Sequence, residues 1–218
     1  MSRGRLIVLE GLDGSGKSTQ LARVCEAVGA RGVSFRRLEF PCYESDSSAL
    51  VRMYLGGAFG EKPEDVNAFA ASSFYAVDRY ASYRSDWGRY YEAGGLLLSG
   101  RYTTSNAIHQ GAKLSGKART DYMDWLFDYE YRLLGLPEPD AVLFLDVEVP
   151  VALRNIRRRE SGQDIHERDG GYLSLCRESA LEAAKRYGWR LVRCDENGEM
   201  RPVDAIEREI LEIIETYI

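Results

Sequence analysis

The stretch Gly11-Leu12-Asp13-Gly14-Ser15-Gly16-Lys17-Ser18-Thr19 constrains this chain more than any other. It reads G-x-x-x-x-G-K-S, follows the apolar run Leu6-Ile7-Val8-Leu9, and opens a helical pattern of Leu21, Val24, Cys25 and Val28. Strand, glycine loop, then helix is the context a phosphate-binding P-loop requires. Glycines let backbone N–H groups converge on phosphate oxygens where a Cβ would obstruct. The helix that follows turns its positive end toward the same anion. Lys17 would reach the β- and γ-phosphates of a nucleoside triphosphate, and the Ser18 hydroxyl would ligate Mg²⁺.

Apolar runs and breakers organise the rest. Strands are predicted at residues 5–10, 33–40, 96–99, 141–146 and 190–194, the second ended by Pro41. Helices are predicted at 17–28 with Gly29 as the stop, 47–55, 64–86 opened by Pro63, 106–113, 119–134, 150–159, 165–187 and 203–217. Alternation of this kind makes the fold α/β, a parallel β-sheet with helices on both faces. The 218 residues read as a single domain, 1–218, with a small lid at about 157–168. Ligands of such sheets sit beyond the carboxyl ends of the strands. Residues 11–18, 40–43 and 99–106 all follow strands, so they should converge on one crevice.

A net charge of −5 argues against bulk nucleic-acid binding, so an anionic substrate would need locally clustered arginines. No apolar run approaches the ~18 residues of a membrane span, and residues 1–5 lead into a strand without a signal-peptide pattern. Cys25, Cys42, Cys176 and Cys194 are far apart and form no C-x-x-C, which suits reduced thiols in a cytoplasmic protein. His109 and His166 make no zinc constellation.

A P-loop alone leaves GTPases, ATPases and small kinases open, although a guanine-reading N-K-x-D is absent. Tyr75 and Arg79 are i, i+4 neighbours on one helix face and could stack a base and bond its carbonyl edge. Spacing alone fits a packed tyrosine and a surface arginine better. Arg101 follows a buried strand, at the crevice, with the fork geometry for phosphate. Arg154, Arg157, Arg158 and Arg159 crowd one helix end. A helix dipole explains them by itself, while the functional alternative is a lid that closes cations over a transferring phosphoryl group. Asp164 and Glu167 could orient those arginines or cap the next helix.

Taken together the chain resembles the thymidylate kinases of bacterial type. The marks are Leu9-Glu10 with the P-loop through Gln20, Phe40-Pro41-Cys42-Tyr43, Tyr75 to Arg79, and Arg101-Tyr102 with Ser105-Asn106. Gly135-Leu136-Pro137-Glu138-Pro139-Asp140, Leu145-Asp146-Val147 and Glu167-Arg168-Asp169 complete them. The resemblance implies transfer of the ATP γ-phosphoryl to dTMP with Mg²⁺, in a homodimer. It implies that Gly11, Asp13, Gly14, Ser15, Gly16, Lys17, Ser18, Thr19 and Arg154 bind ATP, with Ser18 and Asp13 near the metal. Asp13, Phe40, Pro41, Tyr75, Arg79, Arg101, Ser105, Asn106 and His109 would bind dTMP, Tyr75 by stacking on thymine and Arg79 at its O4. Lys17, Arg101, Arg157 and Arg158 would be catalytic. Three positions depart from the family pattern: Gly100 replaces an aspartate, Cys42 an arginine, and His109 a tyrosine that lines the sugar. Those departures leave open another pyrimidine monophosphate as acceptor, or a nucleotide binder with weakened catalysis.

Overall fold

The computed structural model describes residues 3–60, 62–158 and 170–218. The run Leu6-Ile7-Val8-Leu9 has no exposed surface, as expected of a strand covered on both faces. It forms the middle of β1 (Arg5–Gly11), which lies at the centre of a five-stranded sheet. The order is β2 (Phe35–Leu38), β3 (Leu96–Ser99), β1, β4 (Ala141–Asp146), β5 (Arg190–Arg193), with every neighbouring pair parallel. Register places Val8 beside Ser99 on one side and Val142 on the other. The sheet's carboxyl edge therefore carries the ends of β1, β2 and β3 together.

Alternation along each strand builds two cores. Ile7, Leu9, Leu98 and Leu143 face α1 (Lys17–Ala30) and α9 (Val203–Ile214), against Leu21, Val24, Ile206 and Ile210. Leu6, Val8, Leu97 and Phe144 face the opposite layer. That layer includes α3 (Ala68–Ser82), α5 (Thr103–His109), α6 (Gly116–Phe127) and α8 (Gly170–Tyr187). The remaining α-helices among the described residues are α2 (Ala49–Leu55), α4 (Gly88–Glu92) and α7 (Val149–Arg157). Burying each such aliphatic side chain contributes about 1.5–3 kcal/mol.

The α/β architecture is as expected, but several boundaries move. Gly29 lies inside α1, and the left-handed residue past the helix end is Gly32, φ +76°. Pro63 opens a 3₁₀ turn rather than the long helix; Asn67 caps α3 by accepting from the Ala70 amide at 2.9 Å. A π-helical turn, Tyr83–Trp87, separates α3 from α4. Sequence reasoning missed the hairpin of β6 (Asp195–Glu196) and β7 (Glu199–Met200), although Asn197-Gly198, both at positive φ, is its ordinary signal. The lid assigned to 157–168 lies outside the described residues from Arg159 onward, as do Asp164, His166, Glu167, Arg168 and Asp169.

One ion pair stitches the helical layer internally. Arg79 on α3 is 2% exposed and donates to both carboxylate oxygens of Glu130, at 2.7 and 2.5 Å. Glu130, in the π-helical turn Asp128–Leu133 after α6, is fully buried and also accepts from the Thr103 hydroxyl on α5 at 2.7 Å. Glu130→Ala is expected to cost about 3–5 kcal/mol because it strands a buried guanidinium. Urea denaturation measures this; a loss under about 1 kcal/mol would make the pair energetically unimportant.

Candidate active site

The loop between β1 and α1 shows why its glycines are needed. Gly14 and Gly16 have φ of +80° and +83°. A Cβ at Gly14 would lie 2.3 Å from the Ala152 carbonyl oxygen, so no side chain fits. Asn155 of α7 clamps the loop by donating to the Gly14 carbonyl at 2.8 Å. Ser15 is buried within the turn, and Ser18 and Thr19 are exposed on the first turn of α1. Lys17 is 8% exposed and donates to the Gly11 carbonyl at 3.3 Å. Burial, and secondly Arg101, bring its pKa down to about 8, against the pull of Glu10 and Asp13. An anionic phosphate chain beside it would push that value up again.

Two open clefts meet at the carboxyl edge of the sheet. The phosphate cleft, about 750 Å³, is lined by Asp13, Gly14, Gly16, Lys17 and Ser18 together with Arg37, Glu39 and Gly100. The aromatic cleft, about 760 Å³, is lined by Pro41, Tyr54, Tyr75, Arg79, Ser105, Asn106 and His109. Asp13, Phe40 and Arg101 line both. Arg101 spans the shared wall: one Nη is 3.3 Å from Asp13 Oδ1, the other 3.3 Å from His109 Nε2. The three stretches after β1, β2 and β3 thus converge as expected.

In the aromatic cleft the polar groups are fixed from behind. Besides Glu130, Arg79 donates to Asn106 Oδ1 at 2.9 Å and approaches the Tyr102 carbonyl at 3.5 Å. It is a buried arginine rather than the surface one that spacing suggested. Because Asn106 Oδ1 is occupied, its Nδ2 is the remaining group; it is buried and has no acceptor among the described residues. Ser105 also lines the cleft, but its hydroxyl donates to Glu10 Oε1 at 2.7 Å, as Thr104 does. Tyr75 sits edge-on to Tyr54, centroids 6.4 Å apart, and burial raises its hydroxyl pKa. Asp78 holds the loop after β2, accepting from the Cys42 amide at 2.8 Å and the Ser47 hydroxyl at 2.6 Å.

Other sequence candidates fall elsewhere. Arg157 and Arg158 are exposed at the carboxyl end of α7 and line neither cleft, where a helix dipole favours cations. Arg154 donates to the Gly198 carbonyl and lies 3.8 Å from Glu199, tying α7 to the β6–β7 hairpin. At Gly100 a Cβ would lie 2.9 Å from Leu21 Cδ2, the far end of a buried side chain that would have to shift. Sequence reasoning missed Glu10, Asp78, Glu130 and Asn155 as supports. Glu130 carried a signal, since it continues the inward stripe Arg119, Tyr122, Met123, Leu126 at helical spacing.

Among the described residues no group of three or more His, Cys, Asp or Glu side chains could hold a metal. Mg²⁺ asks for less, keeping waters and taking one or two protein oxygens beside phosphates. Ser18 and Asp13, together in the phosphate cleft, fit that requirement. No described helix is long and apolar enough to cross a membrane.

A protein-family model described as "Thymidylate kinase" matches residues 9–210. The thymidylate kinase of Mycobacterium tuberculosis (strain H37Rv) is 32% identical over 172 residues, 75% of this chain and 78% of its own length. That of Chromohalobacter salexigens is 30% identical over 209 residues, 94% of this chain and 93% of its own. Among solved structures, the Candida albicans thymidylate kinase, whose report concerns its broad substrate specificity, superposes with a TM-score of 0.71 at 25% identity. It covers 99% of this chain and 93% of that one.

The burial of Lys17 has a measurable consequence. Its folded pKa, about 8, lies below the unfolded 10.5, so between those values the unfolded chain binds the extra proton. Stability therefore rises with pH across that window, and below it the charged lysine is a standing penalty. Lys17→Met is expected to stabilise the nucleotide-free protein by roughly 3 kcal/mol near neutral pH, with the gain fading as pH climbs to the unfolded value. Denaturation series at both ends of the window test this; a pH-independent difference would contradict it.

Proposed function

This chain belongs to the thymidylate kinase family, is an ATP-dependent phosphotransferase that converts dTMP to dTDP, and from that premise we propose how its two clefts divide the reaction. ATP places its phosphates over the glycine loop, and dTMP enters the aromatic cleft with its phosphate toward Arg101. The observation that carries this reading is the wall of Asp13, Phe40 and Arg101 common to both clefts. It lets a donor and an acceptor phosphate approach in line without a covalent enzyme intermediate. Another pyrimidine monophosphate as acceptor, or a binder with weakened catalysis, is not favoured by the relatives, which are thymidylate kinases.

Thymine would lie against Tyr75, with Asn106 Nδ2 and the remaining Nη1 hydrogen of Arg79 donating to its carbonyl oxygens. Cytosine offers an amino group at position 4, which would set donor against donor in a buried site, a mismatch that discriminates strongly. Lys17 and Arg101 offset the charge that spreads over the transferring phosphoryl group. Ser18 and Asp13 would hold Mg²⁺, which when bound neutralises the β- and γ-phosphate oxygens. No general base is needed, because the acceptor is already a phosphate anion. Arg157 and Arg158, exposed at the end of α7 and outside both clefts as described, would add charge to the transferring group only if the segment after them closes over it.

The homodimer is also a proposal. Phe69, Val77 and Tyr80 are exposed along α3, and Leu50 and Met53 are exposed on α2, which packs on it; exposed apolar side chains of this kind can pair across a two-fold axis. Val77→Asp is expected to sediment more slowly, as a monomer; unchanged sedimentation would remove this face from any interface.

Arg101→Ala is expected to lower kcat by about 10²–10³-fold, the scale for losing one charge-stabilising donor. Near-normal turnover would remove it from the mechanism. Arg79→Ala is an unclean test because it strands Glu130. Asn106→Ala is cleaner: it should raise the KM for dTMP about tenfold while leaving the KM for ATP unchanged. Equal effects on both would contradict its place at the base.

A further inference from the structure

We propose that His109 is a positioning residue for Arg101, holding the guanidinium through the lone pair of Nε2 and therefore working as a neutral ring protonated on Nδ1. The proposal rests on the phosphoryl-transfer reading above and adds to it a residue of the cleft wall that acts through Arg101.

Donor and acceptor chemistry assigns the tautomer. Arg101 Nη1 lies 3.3 Å from His109 Nε2. A guanidinium has five N–H donors and no acceptor, and it stays protonated at all relevant pH. A hydrogen bond across that gap therefore needs the lone pair on Nε2. The single ring proton of the neutral imidazole then sits on Nδ1, which faces Cys176 Sγ at 3.7 Å. Burial pushes the Cys176 thiol up to about 12, so the sulfur is a neutral thiol that can accept weakly. The ring is also held from its backbone: the His109 carbonyl accepts from the Tyr172 hydroxyl at 3.0 Å, which ties the end of α5 to α8.

The consequence falls on the wall between the clefts. Asp13 takes one Nη of Arg101 and His109 the other. One contact is ionic and one neutral, and together they fix the plane of the fork between two phosphate sites. Among the described residues, the groups around the ring are Arg101, with Asp13 behind it, Cys176 and Tyr172 from α8, and Tyr75 and Arg79 lining the same cleft from α3. Protonating Nε2 would set N–H against N–H and cation against cation. Arg101 would then leave its place, and turnover would fall on the acid side. A phenylalanine here would offer no acceptor to Arg101.

Two measurements decide the matter. Ring-nitrogen chemical shifts give the tautomer directly, and the chain has 2 histidines, so His109→Gln identifies the signal. The expected result is Nδ1–H with a bare Nε2 above neutral pH; an Nε2–H tautomer would overturn the proposal. Steady-state kinetics against pH then test the role. Wild type should lose kcat on the acid side, as the ring takes its second proton and Nε2 can no longer accept from Arg101. His109→Phe should lower kcat up to about 100-fold, the cost of a misplaced catalytic group. His109→Gln, whose Oε1 can accept from Arg101 without titrating, should recover most of that loss and lack the acid limb. An acid limb retained in His109→Gln, or equal kcat in Phe and Gln variants, would overturn it. If wild type turned over no dTMP at any pH, the kinase reading would fail, while the tautomer would still decide the His109–Arg101 contact.

Discussion

The contact between Arg101 and Asp13, 3.3 Å apart on the wall between two clefts, is the point on which the rest of this structure depends. A P-loop can hold a triphosphate without doing anything to it. A base pocket can hold a nucleotide without reacting it. What joins them is a cation reachable from both sides, kept from collapsing onto either by a carboxylate and an imidazole. The parallel sheet exists, in functional terms, to bring the ends of β1, β2 and β3 to that wall. Asp13 comes from the first, Phe40 from the second and Arg101 from the third.

Charge is handled locally in a chain whose net charge is −5. Lys17 is held beneath the loop, its positive charge disfavoured by burial until an anion arrives. Arg79 is neutralised by Glu130, so it serves less as a free charge than as a rigid donor whose position is set across 51 residues of sequence. Glu10 takes two hydroxyls from the start of α5 and faces Lys17 through the strand end. Such buried pairs contribute little net stability but cost several kcal/mol when one partner is removed. They favour one arrangement of the cleft over its alternatives, which is what positioning for phosphoryl transfer requires.

Much of this was legible beforehand, for identifiable reasons. Strands buried on both faces are continuous apolar runs, and Leu6 to Leu9, Leu96 to Leu98 and Ala141 to Leu145 read as such. The glycine loop declares itself because its geometry tolerates so few residues. Contacts between residues far apart in sequence were not legible. Nothing local says that Arg79 meets Glu130, or that Asp78 holds the loop at Cys42. Helix ends were misplaced where two glycines competed, as with Gly29 and Gly32, and where an asparagine cap outranked a proline. The arginines at the end of α7, Arg157 and Arg158, line neither cleft, and the lid read after them lies outside the described residues from Arg159 onward.

The central claim is that the two nucleotides meet tail to tail across the Arg101 wall. A single molecule joining thymidine to adenosine through a polyphosphate tether tests it most directly, by calorimetry. If both ends engage at once, the tether converts the second binding event into an intramolecular one, and affinity should exceed that of ATP or dTMP by about 10²–10⁴-fold. Arg101→Ala should remove much of that excess. A tethered compound that binds no tighter than the better of its two halves would contradict the account, because it would mean that the clefts do not share a reaction path.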